Sequence, residues 1–401
     1  MEIHYERHRA NLRKSLKRCE ALIRDTGLNS YSYRKISEYV QDRGGSKEDL
    51  IYLLQAYEYL LAKDTLSKIG STKYEIFIDV FGKDLLLSTM ADLGISQDAA
   101  LHSALIASQV NYHLHRIEMA GDRKYEISPG LSRQLQDTEL RGLTSEDLRL
   151  PYEAILLISP ADSDLRVWNH ETGWHRLECI YICEDDSEEM QENRVWRFLV
   201  IGSSKNTNVL DDAVFFFCIN LPPGESLTDV LDKRDDYLQK SGKFVGEAEL
   251  MNKEWRRIFH WALNVIVYAT WPDAERENIW LSKESRQLWE RAQKLPKGSA
   301  KKEKILKQLK GANQDKRTLL GKSIINRGAY KSDSDPDAKP GKTLNLKVRV
   351  QGHWKKQSHG PKSSLRKTIW IQPYWKGPED GALGSATHRL VGTSNPVPLE
   401  G

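Results

Sequence analysis

The hydrophobic pattern of the chain changes at Pro151, and this change constrains the fold more than any other feature. From there to Leu221, short apolar stretches bounded by turn residues replace the helical spacing of the preceding segment. The predicted strands are 152–159, 164–168, 174–184, 195–202 and 213–221. The connections between them are too short for helical crossovers, so we expect a mostly antiparallel sheet.

Residues 1–148 carry apolar residues mainly at helical spacing, which predicts an N-terminal helical unit. The predicted helices cover 4–25, 33–40, 46–69, 83–93 and 96–118, the third beginning at a capping box, Ser46–Asp49. One face of the first helix is strongly basic, which fits either a solvated surface or a weak nucleic-acid contact. Its cations are Arg7, Arg9, Arg13, Lys14, Lys17 and Arg18.

We therefore predict an α+β fold with a helical unit, a central mostly antiparallel sheet with packed helices, and a C-terminal basic β-hairpin. Two predicted helices, 226–238 and 255–271, follow the last strand, and 271–279 is predicted to be a loop. The expected domains are a helical N-terminal unit over 1–148, an α+β central domain over 149–290, a basic lysine-rich linker or helix over 291–342, a basic aromatic β-hairpin over 343–377 and a disordered tail over 378–401.

The chain of 401 residues has a formal net charge of only +4, but its charges are unevenly distributed. Residues 291–377 contain 23 Lys and Arg against 5 Asp and Glu, a net charge of +18, which leaves −14 for the rest of the chain. A concentrated positive segment is typical of proteins that contact nucleic acid or a ribosome surface. We therefore expect RNA or the ribosome as a partner of this segment.

Residues 343–377 interleave cations with aromatic rings, a mixture suited to phosphates and unstacked bases. Strand 343–350 is predicted to pair with strand 365–371 across a loop at His359–Pro361. The predicted RNA- or ribosome-binding residues are Arg349, His353, Trp354, Lys355, Lys356, Lys362, Arg366, Lys367, Trp370, Tyr374, Trp375 and Lys376. In the alternative interpretation, the tryptophans pack on the body of the protein and the lysines are only solvated.

Two tryptophans of this segment are open to both interpretations. Alternation places Trp370 opposite Ile369 and Ile371, and because we expect the isoleucines to face the core, the Trp370 ring should be exposed. Gly352 permits a bulge, so the direction of Trp354 is left open.

Metal and catalytic sites have little support in the sequence. Cys179 and Cys183 lie on one face of a predicted strand without a further Cys or His pair, so buried small hydrophobes are favoured over a zinc site. Asp211 and Asp212 beside a strand leave a magnesium nuclease open. A phosphate loop, a dinucleotide fingerprint, a nucleophile elbow and a zinc-protease helix are all missing. We predict no catalytic residue, no cofactor and no metal.

An acidic cluster follows the second predicted helix of the central domain. Asp273, Glu275 and Glu277 fit a solvated loop, and the alternative is a site for a basic peptide or a metal. We take them as candidate peptide-binding residues. The net charge of −14 outside 291–377 suits a basic polypeptide partner, because complementary charge speeds encounter and selects partners.

The sequence lacks the features of membrane and secreted proteins. It contains no run of about 18 apolar residues, and its start lacks the apolar core of a secretory signal. Four scattered cysteines are too few for a disulfide framework. We therefore expect a cytoplasmic protein with no membrane partner.

Several separated stretches resemble the type V-A anti-CRISPR family that blocks biogenesis of the type V-A effector nuclease. The resemblance spans most of the chain. The stretches are Arg43–Asp49 at the start of a Leu- and Tyr-rich helix, Leu150–Pro151 before the first strand, Gly224–Leu231 before a helix, Trp261–Ala269 with the following Pro272–Asp273, and the Gly352–Trp354 hairpin. The last motif is the most distinctive.

The resemblance implies a protein of a phage or other mobile element that recognises the nascent N-terminal polypeptide of the type V-A effector nuclease. It also implies translation-dependent degradation of the nuclease mRNA, with a host ribonuclease doing the cutting and no intrinsic catalysis. Two alternatives come from other classes. One is a mobile-element nucleic-acid-binding regulator without a CRISPR target, and the other is a toxin-like ribonuclease.

Overall fold

The structure, a computed structural model, describes residues 3–26, 38, 40–45, 49, 53, 56, 97–169, 172–185, 193–203, 213–240, 248–311, 316–324, 346–376 and 382–383. The chain divides into two compact units. Unit 1 comprises Met1–Gln136 and Leu140–Ile325, and unit 2 comprises Asp137–Glu139 and Asn326–Gly401.

Helices and strands are both spread along the described chain. The helices are α1 (His4–Thr26), α2 (Gln97–Met119), α3 (Pro129–Gln136), α4 (Leu227–Lys240), α5 (Ala248–Thr270), α6 (Lys283–Gln293) and α7 (Ala300–Gly311). The strands are β1 (Lys124–Ile127), β2 (Thr138–Glu139), β3 (Ala154–Ile158), β4 (Arg166–Asn169), β5 (Gly173–Asp185), β6 (Arg194–Gly202), β7 (Ala213–Leu221), β8 (Arg276–Trp280), β9 (Lys316–Leu320), β10 (Leu346–Val350), β11 (Gly352–His359), β12 (Leu365–Ile371), β13 (Tyr374–Lys376) and β14 (Ala382–Leu383).

An eight-stranded sheet forms the centre of unit 1, in the order β7-β6-β5-β3-β1-β9-β8 with β4 paired to β5. The five predicted strands are confirmed as β3 to β7, and each pairing among them is antiparallel. β1 joins them to β9 through parallel pairings with β3 and β9. The sheet is therefore mostly antiparallel, and the predicted α+β class is confirmed.

Two strands of this sheet depart from the hydrophobic pattern. β1, only four residues long, lies in the segment that the pattern assigns to helices. β8 occupies the second half of the predicted loop 271–279, so the loop prediction is wrong there. β8 is an edge strand whose Arg276, Glu277 and Asn278 are exposed, and such a strand has little buried surface to impose an alternating pattern.

Helices cover both faces of the sheet of unit 1. Buried side chains of α1 and α2 form one core with β3, β5 and β6. Cys179 and Cys183 lie buried in this core outside any disulfide, which confirms their interpretation as small hydrophobes. On the opposite face, the Phe259 ring of α5 packs edge-to-face on the Phe198 ring of β6, with centroids 5.7 Å apart.

The basic face of α1 is partly used inside unit 1. Three of its arginines form ion pairs, which are Arg7 with Glu178, Arg9 with Asp122 and Arg18 with Asp49. Arg9 is only 8% exposed, so the interpretation of a solvated face is wrong for this residue. A guanidinium leaves water at a large cost unless a carboxylate compensates its charge, which Asp122 does here.

The described part of unit 2 contains two three-stranded sheets. In one, β10 pairs antiparallel with β13 and parallel with β14. In the other, β11 and β12 form an antiparallel hairpin, and β2 pairs parallel with β11. A C-terminal basic β-hairpin is thus present, but the predicted pairing of 343–350 with 365–371 is wrong. The partner of β12 is β11, whose mainly polar residues show no apolar alternation in the sequence.

Several sequence predictions fall on residues outside the described ranges. They concern Ser46–Glu48 of the capping box, the helices over 57–69 and 83–93, most of 33–40, Asp211 and Asp212, the linker over 325–345 and residues 384–401 of the tail. None of the described helices has the length and the apolar character needed to cross a membrane.

Candidate nucleic-acid interface

The β11–β12 hairpin of unit 2 carries most of the predicted binding residues. Its strands pair in one continuous register, in which Trp354 lies opposite Trp370. A tight turn closes the hairpin, with Gly360 at φ 76° and with Lys362 and Ser363 at φ 53° and 57°. Glycine adopts this left-handed region readily, whereas Lys362 and Ser363 do so at a cost. The pairing of the strands therefore has to hold the turn in place.

Trp354 and Trp370 form a buried aromatic pair, and the prediction of an exposed Trp370 is wrong. Their ring centroids are 6.0 Å apart, and the two residues are 4% and 8% exposed. The Trp370 Nε1–H donates to Thr138 Oγ1 at 3.1 Å. Alternation correctly separates Trp370 from Ile369 and Ile371, but the covered face is that of the tryptophans. Two indole rings remove more apolar surface from water than two isoleucines, which favours this choice.

The short strand β2 packs closely against the start of β11. The Gly352 N–H donates to the Asp137 carbonyl at 2.9 Å, where the two strands meet. A Cβ atom at Gly352 would lie 2.6 Å from Thr138 Oγ1 and 2.8 Å from Pro373 Cδ, closer than packed atoms approach. The absence of a side chain at Gly352 is therefore what lets β2 reach the hairpin.

Seven cations of the predicted site are exposed on unit 2. They are Arg349, Lys355, Lys356, Lys362, Arg366, Lys367 and Lys376. Five of them lie on the hairpin or in its turn, while Arg349 lies on β10 and Lys376 ends β13. Exposed cations along one element can contact successive phosphates of a nucleic-acid backbone, and affinity rises with the number of phosphates neutralised. The structure thus places five of the predicted cations on the solvent-exposed hairpin.

Arg349 is exposed but paired, and the other predicted binding residues are less accessible. Arg349 of β10 donates to the Asp137 carboxylate in an ion pair. Trp375 lies opposite Arg349 on β13, and Trp375, Tyr374 and His353 are half-buried. A half-buried ring can offer part of a face to a base, but its stacking surface is smaller than that of an exposed ring. This surface therefore offers more exposed positive charge than exposed ring area.

The acidic candidates for peptide binding lie in unit 1, after α5. Ser323 donates its backbone N–H and its hydroxyl to the Glu275 carboxylate at 2.9 and 2.8 Å. Glu277 forms an ion pair with Lys322 at 2.8 Å, and Asp273 is exposed. A basic ligand would have to compete with the contacts of Glu275 and Glu277. Peptide binding by these residues stays a prediction.

A cavity of about 240 Å³, which the hydrophobic pattern does not reveal, opens on unit 1 where β1, β9 and β8 lie side by side. The strand register places Tyr125, Thr318 and Asn278 in one row, so their side chains share a face. Arg123 and Lys316 flank this row. The sequence hides the cavity because β1 and β8 carry no clear strand pattern, although the run Arg-Lys-Tyr at 123–125 is a visible signal.

The cavity is electropositive. The Arg123 guanidinium carbon lies 4.0 Å from the centroid of the Tyr152 ring, in a cation–π contact. Burial, and then the charge of Arg123, lower the pKa of Lys316. Burial also raises the pKa of the Tyr125 hydroxyl to about 12, so the hydroxyl stays protonated and can donate a hydrogen bond. This arrangement suits an anionic ligand.

Two of the metal candidates considered from the sequence, the Cys179 and Cys183 pair and the acidic cluster after α5, lie in the described part of the chain. No three His, Cys, Asp or Glu side chains converge there in a way that could hold a metal ion. Burial raises the pKa of the Cys183 thiol to about 12. The thiol is therefore protonated at neutral pH, and a protonated thiol is a poor metal ligand.

A family model and a solved structure each match more than half of the chain. A family model described as AcrVA2-like, the anti-CRISPR type V subtype A2 family, matches residues 125–378, which is more than half of the chain. The chain is similar to a solved structure described as "Crystal structure of AcrVA2", at 13% identity and a TM-score of 0.39, with 89% of this chain and 97% of the other chain covered. No curated protein matches the chain.

Proposed function

Because the chain belongs to the AcrVA2-like family, anti-CRISPR type V subtype A2, we propose that it recognises the nascent N-terminal polypeptide of the type V-A effector nuclease and triggers degradation of the nuclease mRNA. The protein is a type V-A anti-CRISPR protein. In the proposed mechanism it acts during translation, as a binding protein in the cytoplasm of the bacterial host. A host ribonuclease cuts the mRNA.

The observation that supports this mechanism best is the exposed basic hairpin of unit 2. A protein that couples a nascent chain to loss of its mRNA has to contact RNA or the ribosome, and both present phosphates. The hairpin offers its cations to solvent on a scaffold that the buried pair Trp354 and Trp370 keeps in shape. Long-range attraction to phosphates needs no base-specific contact, so the half-buried rings of this surface are sufficient.

Recognition of the nascent polypeptide belongs, in this proposal, to the acidic part of the chain. Residues outside 291–377 carry a net charge of −14, which favours encounter with a basic segment. Asp273 and Glu277 are the exposed members of the three acidic candidates, and Glu275 is half-buried. The two tasks would then be separated along the chain, with RNA contact at its C-terminal end.

The proposal is tested by expressing the full chain beside a type V-A effector gene and following the mRNA and protein of that gene. We expect both to fall. An effector gene whose start codon is removed is the control, since its mRNA is not translated and should persist. Unchanged levels of the translated mRNA would contradict the mechanism.

The role of the hairpin is tested in the same cells with the triple variant Lys355→Ala, Lys362→Ala and Arg366→Ala. All three residues are exposed, so the fold should persist while the loss of mRNA is impaired. The matched control also removes three exposed cations, namely Lys301, Lys304 and Lys307 of α7. Equal impairment by both triple variants would show that overall charge matters and that the hairpin has no special role.

The exposed cations also fit a second function, that of a nucleic-acid-binding regulator of a mobile element. Such a protein would bind RNA or DNA through the same hairpin without any dependence on the nuclease polypeptide. The two functions are distinguished by replacing the N-terminal codons of the effector gene with synonymous and with non-synonymous codons. A loss of mRNA that survives synonymous but not non-synonymous replacement supports peptide recognition, and insensitivity to both supports the regulator.

A further inference from the structure

We propose that the cavity at β1, β8 and β9 of unit 1 is a binding site for a phosphate monoester, as carried by a nucleotide or by the phosphorylated end of an RNA. The cavity belongs to unit 1, whereas the hairpin cations belong to unit 2. It goes beyond the proposed function, because nothing in that mechanism requires a second anion site.

The geometry of the cavity supplies donors and positive charge from one face of the sheet. Thr318 and Asn278 lie opposite each other on β9 and β8. Lys316 lies two residues before Thr318, so its side chain is on the same face of the sheet. Tyr125, which supplies a hydroxyl to the cavity, is only 6% exposed. Arg123 stands at the rim, where its Nε donates to the Ala120 carbonyl at 3.2 Å. That bond uses one of its five N–H groups, so others can point at a ligand.

The acidic groups near the cavity do not neutralise this charge. Asp122 contributes to the lining, but its carboxylate accepts hydrogen bonds from the Tyr5 hydroxyl and the Arg9 guanidinium. Lys124 also contributes to the lining, yet its ammonium lies on the other face of the sheet, 5.3 Å from the centroid of the Tyr5 ring. Arg123 and Lys316 are therefore the cations that can meet a ligand. Two cations fit a dianion better than a singly charged phosphodiester.

Arg276 adds charge to the cavity from a fixed position. Its guanidinium donates to the carbonyls of Ala269 and Trp271 at the end of α5, at 2.9 and 2.5 Å. These carbonyls form the negative end of the helix dipole, so they hold the guanidinium and offset part of its charge. Arg276 thus contributes to the field while most of its donors are already used.

A nucleotide accounts for the rim of the cavity better than a free carboxylate does. The Tyr152 side chain is 40% exposed and carries the Arg123 guanidinium over its ring. An exposed ring beside an anion site can stack on a base, and such stacking tolerates any base. The guanidinium fork binds the oxygens of a phosphate in a bidentate manner. An acidic peptide could pair with Arg123 and Lys316, but it has no base to stack on the Tyr152 ring.

The test uses the purified full chain and isothermal titration calorimetry at constant ionic strength. The probes are uridine 5′-monophosphate, inorganic phosphate, an RNA hexamer with and without a 5′-phosphate, and an acetylated di-glutamate peptide. We expect binding of the monophosphate and of inorganic phosphate, and tighter binding of the hexamer when it is phosphorylated. A hexamer preference with weak mononucleotide binding assigns the site to RNA ends, and the reverse assigns it to nucleotides.

Variants tie the binding to the cavity. Arg123→Ala and Lys316→Met should each weaken phosphate binding by about tenfold or more, the typical effect of losing one charged hydrogen bond. Tyr152→Ala should weaken binding of the uridine nucleotide more than that of inorganic phosphate, because it removes the stacking ring as well as a contact of Arg123. Lys322→Ala removes an exposed lysine that is paired with Glu277, and it is the control that should leave both affinities unchanged.

Several results would overturn the proposal. They are no phosphate binding by the unmodified chain, equal affinity in the Lys316→Met and Lys322→Ala variants, and binding of the glutamate peptide as tight as that of the nucleotide. Tyr152→Ala keeps the test decisive if Lys316→Met fails to fold, because Tyr152 is 40% exposed and lies outside the buried core. No nuclease or mRNA takes part, so the outcome is independent of the proposed function.

Discussion

At Trp370, one side chain combines two kinds of stabilisation. Its ring packs against Trp354, and its Nε1–H donates to Thr138 Oγ1 at 3.1 Å. A buried indole N–H needs such a partner, because without one the cost of removing it from water is not compensated. The residue therefore stabilises the hairpin, and its ring does not present a face to a base.

We expect Trp370→Ala to destabilise the hairpin by about 3–5 kcal/mol, since it removes a buried ring. Trp370→Phe should cost about 1–3 kcal/mol, chiefly because Thr138 loses its donor. Hydrogen exchange of the β11 and β12 amides measures both effects. The control is Leu365→Ala on the same strand, which should change little because Leu365 is 53% exposed. Equal exchange in Trp370→Ala and Leu365→Ala would contradict the buried role.

At the scale of elements, ion pairs connect helix α1 to the sheet of unit 1. Arg317 of β9 donates to the Glu6 carboxylate at 2.7 Å and to the Glu126 carboxylate at 2.8 Å. The Arg317 side chain is nearly buried, so its charge depends on these partners. The network joins the first helix to one of the last strands of unit 1.

Arg317→Leu should destabilise unit 1 by about 2–3 kcal/mol, because two carboxylates lose their counter-charge. The cost stays below that of a fully buried pair, since Glu126 is partly exposed. Urea unfolding followed by circular dichroism measures the change. Arg133→Leu is the control, because the ion pair of Arg133 with Asp162 is about half exposed and should contribute less than about 1 kcal/mol. Similar losses in both variants would rule out a special role for Arg317.

Histidines surround Tyr181 where α1 and α2 meet the sheet. His4 Nδ1 lies 3.1 Å from the Tyr181 hydroxyl oxygen, and the His4 and His8 rings stack with centroids 5.6 Å apart. The His113 ring centroid lies 6.4 Å from that of Tyr181. Burial lowers the pKa of all three imidazoles, and that of His113 to about 4. These side chains are therefore neutral in the folded protein at neutral pH.

The free energy of unfolding should fall as the pH drops from about 6.5, where histidine titrates in an unfolded chain, toward about 4, the pKa of His113. In this window the unfolded state binds protons that the folded state does not, at about 1.4 kcal/mol per pH unit for each histidine. His113→Gln should reduce the slope by that amount in urea unfolding between about pH 5 and 6.

Leu114→Ala on the same helix is the control for this pH dependence. It removes a buried apolar side chain and no titrating group, so it should lower stability at every pH and leave the slope unchanged. A slope that is the same in His113→Gln and in the unmodified protein would show that His113 does not resist protonation in the folded state.

At the scale of the whole molecule, charge is segregated along the chain, with +18 in residues 291–377 and −14 elsewhere. If RNA binding rests on this segregation, it should weaken by orders of magnitude between low and moderate salt. The triple variant Lys355→Ala, Lys362→Ala and Arg366→Ala should reduce the log–log salt slope by about 2 on single-stranded RNA. Fluorescence anisotropy over a series of KCl concentrations measures this slope. Salt-independent binding, or none at low salt, contradicts the prediction.

The sequence by itself determined the local elements and the distribution of charge. Strands β3, β5, β6 and β7 and helices α1, α2 and α5 could be predicted because each has an apolar repeat long enough to show its period. The exposed cations of the hairpin could be predicted because lysine and arginine keep their charged ends in water. Alternation also showed that Trp370 and Ile369 face opposite sides of β12.

Only the tertiary structure decided which strands pair and which face of each is covered. Thr138, the acceptor for Trp370, lies 232 residues away in the sequence, and β1 reaches its place between β3 and β9 from a mainly helical segment. The cavity exists because β1, β8 and β9 meet, and these strands are distant in the sequence. Strand pairing rests on backbone hydrogen bonds that are alike for every residue type. A pattern of side chains therefore records which residues share a face, but not what covers it.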